Sequence, residues 1–128
     1  MLRNFFVTSC LILTSLEASA DFAPLTGCWR DGQVQGGYYL KQVGNEVWWM
    51  GENYPINPNY SNVAHGKRSG NWVTLSWADV PKGRTTSSGT MVIKITSDNT
   101  FEKVPDTADT GGFGPYSWTK TSSAGPCS

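Results

Sequence analysis

The sequence predicts an all-β fold, an eight-stranded antiparallel up-and-down barrel, and three observations carry that prediction. No stretch after residue 20 shows helical periodicity, while short runs rich in Val, Ile, Thr, Tyr and Trp recur between turn signals. The runs fall at about 26–31, 37–43, 46–52, 62–68, 72–79, 89–96, 100–104 and 115–121. The linkers between them alternate in length, so that in a meander every long one lies at one end of the sheet and every tight one at the other. Eight strands is also about the number at which a closed barrel is filled by side chains or holds one small ligand, and closure removes exposed edges. A two-sheet β-sandwich is the competing architecture.

The first twenty residues read as a secretory signal peptide: Arg3 supplies a positive start, Phe5 to Leu16 an apolar stretch too short to span a bilayer, and Ala18-Ser19-Ala20 a small-residue cleavage site. Val7-Thr8-Ser9-Cys10 looks like a lipoprotein box but would cut that stretch in half, which argues against lipidation. The expected mature chain is a single domain over 21–128, secreted or periplasmic. Charge is balanced, with ten basic and ten acidic residues in the whole chain and neither sign forming a run. Neither a nucleic-acid nor a membrane-surface partner is suggested.

Export leaves Cys28 and Cys127 as the only cysteines, and an oxidising compartment pairs them. Asn59-Tyr60-Ser61 matches a glycosylation acceptor, which matters only in a host that glycosylates.

The tight turns fix which side chains share a face, because cross-strand partners point the same way and successive residues alternate. Pairing Val43 with Glu46 across Gly44-Asn45 groups Lys41, Glu46 and Glu52 outside, and turns Tyr38, Leu40, Gln42, Val47 and Trp49 inward. Across 69–71, Ala64, Gly66, Val73, Leu75 and Trp77 point inward, and His65, Lys67, Trp72, Thr74 and Ser76 outward. Across 97–99, Lys94 meets Glu102 outside, leaving Met91, Ile93, Ile95 and Phe101 inside. Trp118 follows as inward, with Tyr116 and Lys120.

Gly27-Cys28-Trp29 in the first mature strand and the inward Lys120 in the last resemble the lipocalin and avidin group, the calycins. In that group a G-x-W opens the first strand and its Trp packs under an Arg or Lys from the end of the barrel. The resemblance implies a lipocalin/avidin-like barrel with Lys120 stacked on Trp29, a cation over an indole face. The group's T-D-Y turn is absent. The middle of the chain, from Gly36-Gly37-Tyr38-Tyr39 to Thr110-Gly111-Gly112-Phe113-Gly114, is similar to small bacterial secreted proteins that imply no reaction.

Chemistry-bearing constellations are sparse. His65 is assigned to the outer face and reads as a surface histidine, no metal site is expected from one His without a free thiol, and no cofactor motif occurs. The Gly-Gly-Phe-Gly run at 111–114 follows no strand-to-helix junction and is not read as a phosphate loop. Asp79 shares the inner face with Trp77 near the mouth. It reads first as a turn cap and second as a polar anchor or general acid.

All six Trp and all five Tyr lie beyond the leader. The inner ones read chiefly as core, since each ring buries about 150–250 Å². Those expected nearest the mouth, with polar groups at the rim, form the candidate ligand-binding set: Tyr38, Trp49, Trp77, Asp79, Arg84 and Tyr116. The leading expectation is a non-enzymatic barrel that binds a small apolar, aromatic or sugar ligand at the long-loop end. A protein-interaction or inhibitor module with a packed interior is one alternative, and a barrel enzyme using Asp79 another. Tyr39, Trp48, Met50 and Trp72 point outward and are expected to form one apolar patch. A homo-oligomer or protein partner would cover it, anchored on Trp48 and Trp72.

Overall fold

The computed structural model describes residues 21–32 and 37–127. The predicted leader lies outside the described residues, as does most of the 32–36 linker. The strands are β1 (Gly27–Asp31), β2 (Gly37–Val43), β3 (Glu46–Glu52), β4 (Ser61–Ser69), β5 (Trp72–Asp79), β6 (Ser88–Ser97), β7 (Thr100–Lys103) and β8 (Ser117–Ser122). Each pairs antiparallel with the next, and β8 returns to β1, so the sheet closes into a barrel. That closing pair excludes the sandwich.

The turn chemistry sets the register. Val43 faces Glu46 across a turn in which Gly44 takes φ +57°, and Gly70 takes φ +60° between β4 and β5. Leu40 then pairs with Trp49, Ala64 with Trp77, Lys94 with Glu102 and Ile95 with Phe101. The long connections all lie at one end, which is the mouth. Gly66 opposes Leu75 where the β4–β5 hairpin coils tightly, and a Cβ there would stand 1.8 Å from the Thr74 carbonyl oxygen.

Closure leaves an interior that aromatic rings fill from base to mouth. Trp29 meets Phe101 at 4.6 Å between centroids, Phe101 stacks on Trp118 at 4.8 Å, and Trp118 meets Trp49 at 5.5 Å. Trp49 touches Phe113 at 5.6 Å, and Phe113 meets Trp77 edge-on at 4.9 Å. Val47, Val73, Leu75, Met91, Ile93 and Ile95 surround this column, all buried. Phe113 comes from the β7–β8 connection, which bends its ring into the barrel. The loop is held by Lys103, whose buried Nζ donates to the Phe113 carbonyl at 2.6 Å and pairs with Asp109 at 3.2 Å.

The base is sealed by residues 21–26, which cross beneath the strands. Arg68 continues the inward side of β4 past Ala64 and Gly66 and is only 6% exposed. Its guanidinium donates to the carbonyls of Phe22, Ala23 (2.9 Å) and Gly70 (2.8 Å) and to Gln42 Oε1 (3.0 Å). Gln42 Oε1 also accepts Leu25 N–H at 3.0 Å. Burial lowers the Arg68 pKa, with Asp21 acting against that shift. Beside this network Lys120 Nζ lies 5.1 Å from the Trp29 ring and donates to Pro24 O at 3.2 Å, while Trp29 Nε1 donates to Leu25 O at 2.9 Å. The stack expected at the base is present, but Arg68 is the deeper cation.

Cys28 and Cys127 are bonded, with Cα atoms 5.6 Å apart and a sequence separation of 99. On the chain-entropy account a loop of that length contributes about 4–5 kcal/mol.

Two inside–outside assignments need correction. Glu52 keeps its outward parity but is buried, because the β5–β6 connection lays Lys82 over it with Nζ 2.6 Å from Oε2. Tyr116 was expected inside with Trp118, yet it is 56% exposed: β8 begins only at Ser117, so strand alternation does not extend to it. Its ring lies 5.4 Å from Lys103 Nζ instead.

The two base cations should behave differently. Arg68→Ala strands several buried carbonyls and is expected to lower stability by at least about 2 kcal/mol, whereas the half-exposed Lys120→Ala should lose under about 1 kcal/mol. Trp29→Ala, which empties the foot of the column, should lose about 3–5 kcal/mol. Chemical denaturation of the three variants checks the order; a Lys120 loss matching that of Arg68 would contradict it.

Candidate functional site

The aromatic column occupies the interior, and above Trp77 and Phe113 a cleft of about 410 Å³ opens at the mouth. Its walls are Asp31, Tyr60, Asn62, Trp77, Asp79, Thr85 and Ser87, with Phe113 and its flanking glycines. Asp31 ends β1, Asn62 is the second residue of β4 and Asp79 ends β5, so three inward polar side chains reach the rim at the ends of their strands. The volume falls in the usual range for small-molecule sites, about 300–1,000 Å³.

Two hydrogen-bonded units stiffen the rim. Asp31 Oδ2 accepts from the hydroxyls of Tyr38 and Tyr60, both at 3.0 Å, and the hydroxyls are 3.2 Å apart. Burial pushes the Tyr38 phenol far above its ordinary range, and the neighbouring Tyr60 and Asp31 push the same way. Tyr60 is raised to about 12, first by burial and then by Asp31, with the Tyr38 hydrogen bond pulling down. The second unit is Asp79, whose carboxylate accepts Ser87 N–H at 2.8 Å while its own N–H donates to Ser87 O at 2.8 Å. Asp79 therefore caps the β5–β6 connection, the first of the two roles read from the sequence.

Of the six predicted ligand-binding residues, Trp77 and Asp79 line the cleft. Tyr38 and Trp49 point inward as expected but are buried one layer below, Trp49 donating Nε1–H to Asn62 Oδ1 at 2.8 Å. Arg84 does not line it: the side chain is exposed, and its backbone N–H holds Asn59 O at 2.7 Å, which ties two loops together. Tyr116 lies outside it, for the reason given above. Asp31, Tyr60 and Asn62 were missed, although the alternation that turns Trp29 and Ala64 inward also carries Asp31 and Asn62 to that face. Phe113 had no such signal.

On the outer wall Trp48 is 43% exposed and stacks on His65 at 4.9 Å, while His65 Nε2 lies 2.7 Å from Glu46 Oε2. Met50 and Val63 pair beside them. Trp72 is not part of this group: Ser76 is the β5 residue facing His65, Thr74 intervenes, and Trp72 lies near the base with Lys94 Nζ 5.3 Å from its ring. The single outer patch expected from the sequence is therefore two separate features. Among the described residues no cluster of three or more His, Cys, Asp or Glu is placed to hold a metal ion.

Comparison with protein-family models, curated proteins and solved structures finds no match.

The phenol shifts predict an alkaline limit to stability. Because Tyr60 ionises near pH 10 when unfolded and near 12 when folded, its contribution is complete below about pH 10 and is lost as pH rises through 12. Tyr38 shifts in the same direction. Denaturation midpoints measured from pH 9 to 12 should fall for the wild type and fall less for a Tyr38→Phe, Tyr60→Phe variant. Equal slopes would show that the pair carries no linkage.

Proposed function

We propose that this protein is a calycin-like small-molecule-binding barrel of an exported compartment, taking its ligand at the long-loop mouth without transforming it. The observation that carries the reading is the cleft: it is the place where the packed column stops, and apolar ring surface there meets polar groups already fixed by the protein. Binding to a preorganised rim avoids much of the ordering that weakens association. The Trp29–Lys120 stack supports the calycin likeness, and the Cys28–Cys127 bond supports an oxidising compartment.

Asp79 favours binding over catalysis. Its carboxylate is held by the Ser87 N–H as a loop cap, and among the described residues no histidine, cysteine or lysine lines the cleft beside it to act as nucleophile or base.

Thr85 is an exposed wall residue outside the core, so Thr85→Trp fills the cleft without disturbing the column. Native mass spectrometry of protein purified from its own host should show a co-purifying small molecule on the wild type and its loss in Thr85→Trp, with the melting temperature unchanged. A ligand retained by the variant, or none on either protein, would overturn the assignment.

A further inference from the structure

We infer that the cleft recognises a neutral polyhydroxylated ring, a sugar or cyclic polyol, by stacking and paired hydroxyl contacts; this rests on the binding reading above. The first observation is a donor with nothing to donate to. Trp77 is 5% exposed and lines the cleft, and its Nε1 is buried without an acceptor. Trp118 Nε1 is also unmatched, but it lies deeper in the column and does not line the cleft. Asn62 adds a second donor: its Oδ1 is taken by Trp49 Nε1–H, an atom that can only donate, so the amide is oriented with its NH2 group left for another partner.

The second observation is the sign of the charge on the wall. Asp79 brings a carboxylate there, and among the described residues no Lys or Arg lines the cleft. Lys103 is held by Asp109 and the Phe113 carbonyl, and Lys82 by Glu52. An anionic ligand is disfavoured by that carboxylate. A purely cationic one would suit it but leave the indole and amide N–H groups without acceptors. An apolar one would leave every polar group unmatched, at a cost of about 1–3 kcal/mol for each buried group.

A hydroxyl is both donor and acceptor. Adjacent hydroxyls on one ring can donate to the Asp79 carboxylate and accept from Trp77 Nε1 and the Asn62 amide. The C–H face of the same ring lies against the apolar surfaces of Trp77 and Phe113. Such a ring uses both the acceptors and the donors.

The test is tryptophan fluorescence titration and native mass spectrometry with glucose, N-acetylglucosamine, inositol and a maltose-series oligosaccharide, beside benzyltrimethylammonium and benzoate. At least one hydroxylated probe should bind saturably, with an affinity that high salt leaves unchanged because no net charge is neutralised. Thr85→Trp should abolish it. Asp79→Asn keeps an acceptor for the Ser87 N–H and should weaken it roughly tenfold, as the loss of one charge-assisted hydrogen bond does. Binding of single rings indicates a free small molecule, and binding of the oligosaccharide alone indicates a glycan chain end; both support the inference. Cleft-dependent binding of benzyltrimethylammonium or benzoate without any sugar would overturn the ligand class and leave the binding reading standing. No probe bound and no co-purifying molecule would remove both.

Discussion

The structure depends first on closure of eight strands into a ring. A barrel of that size has an interior too wide to be left empty and too narrow for a second layer, so it must be filled by side chains from its own wall. This chain fills it with rings. Trp29, Phe101, Trp118, Trp49, Phe113 and Trp77 form a continuous series of contacts, each pair within 6 Å. Because the column occupies the depth of the barrel, the cleft at this end lies at the rim, where the last two rings end.

Base and mouth solve opposite problems. At the base, carbonyl groups of residues 22–25 are folded under the strands, and a buried carbonyl needs a donor. Arg68 meets that need several times over with one planar group, which an ammonium could not do from a single position. At the mouth the loops are long, and inward polar side chains at strand ends tie them down: Asp31 through two phenols, Asp79 through Ser87, Lys103 through Phe113 and Asp109. The same groups that fix the loops line or floor the cleft, so holding the rim and shaping the site are one task.

Much of the fold was legible because both of its periods are local. Alternation along each strand and the glycine-bearing turns place Trp29, Trp49, Trp77 and Trp118 inside and Trp48 and Trp72 outside, and the structure agrees. Alternation fails where the strand stops, which is why Tyr116 was misplaced by a residue that is no longer in β8. It also says nothing about what a loop lays over a strand, hence Glu52 beneath Lys82. Arg68, Asp31 and Asn62 were readable from the pattern, since each lies two residues from an inward neighbour, but a polar side chain facing inward runs against the binary rule and was passed over. Phe113 was not readable at all. Gly111, at φ +84°, bends the chain where a Cβ would stand 2.2 Å from Ser88 O, and no periodicity records which ring such a bend delivers.

The tyrosine pair shows how a site can be polar and stiff together. Tyr38 sits in β2, Tyr60 just before β4 and Asp31 at the end of β1, so three segments far apart in sequence converge on one carboxylate oxygen. Keeping both phenols neutral makes them donors to that one carboxylate. Lys103, whose buried Nζ reaches the Phe113 carbonyl, is committed to that carbonyl and to Asp109. The cleft therefore combines acceptors whose positions are set by hydrogen bonds already made, donors on Asn62 and Trp77, and ring surface from Trp77 and Phe113 that packing prevents from collapsing inward.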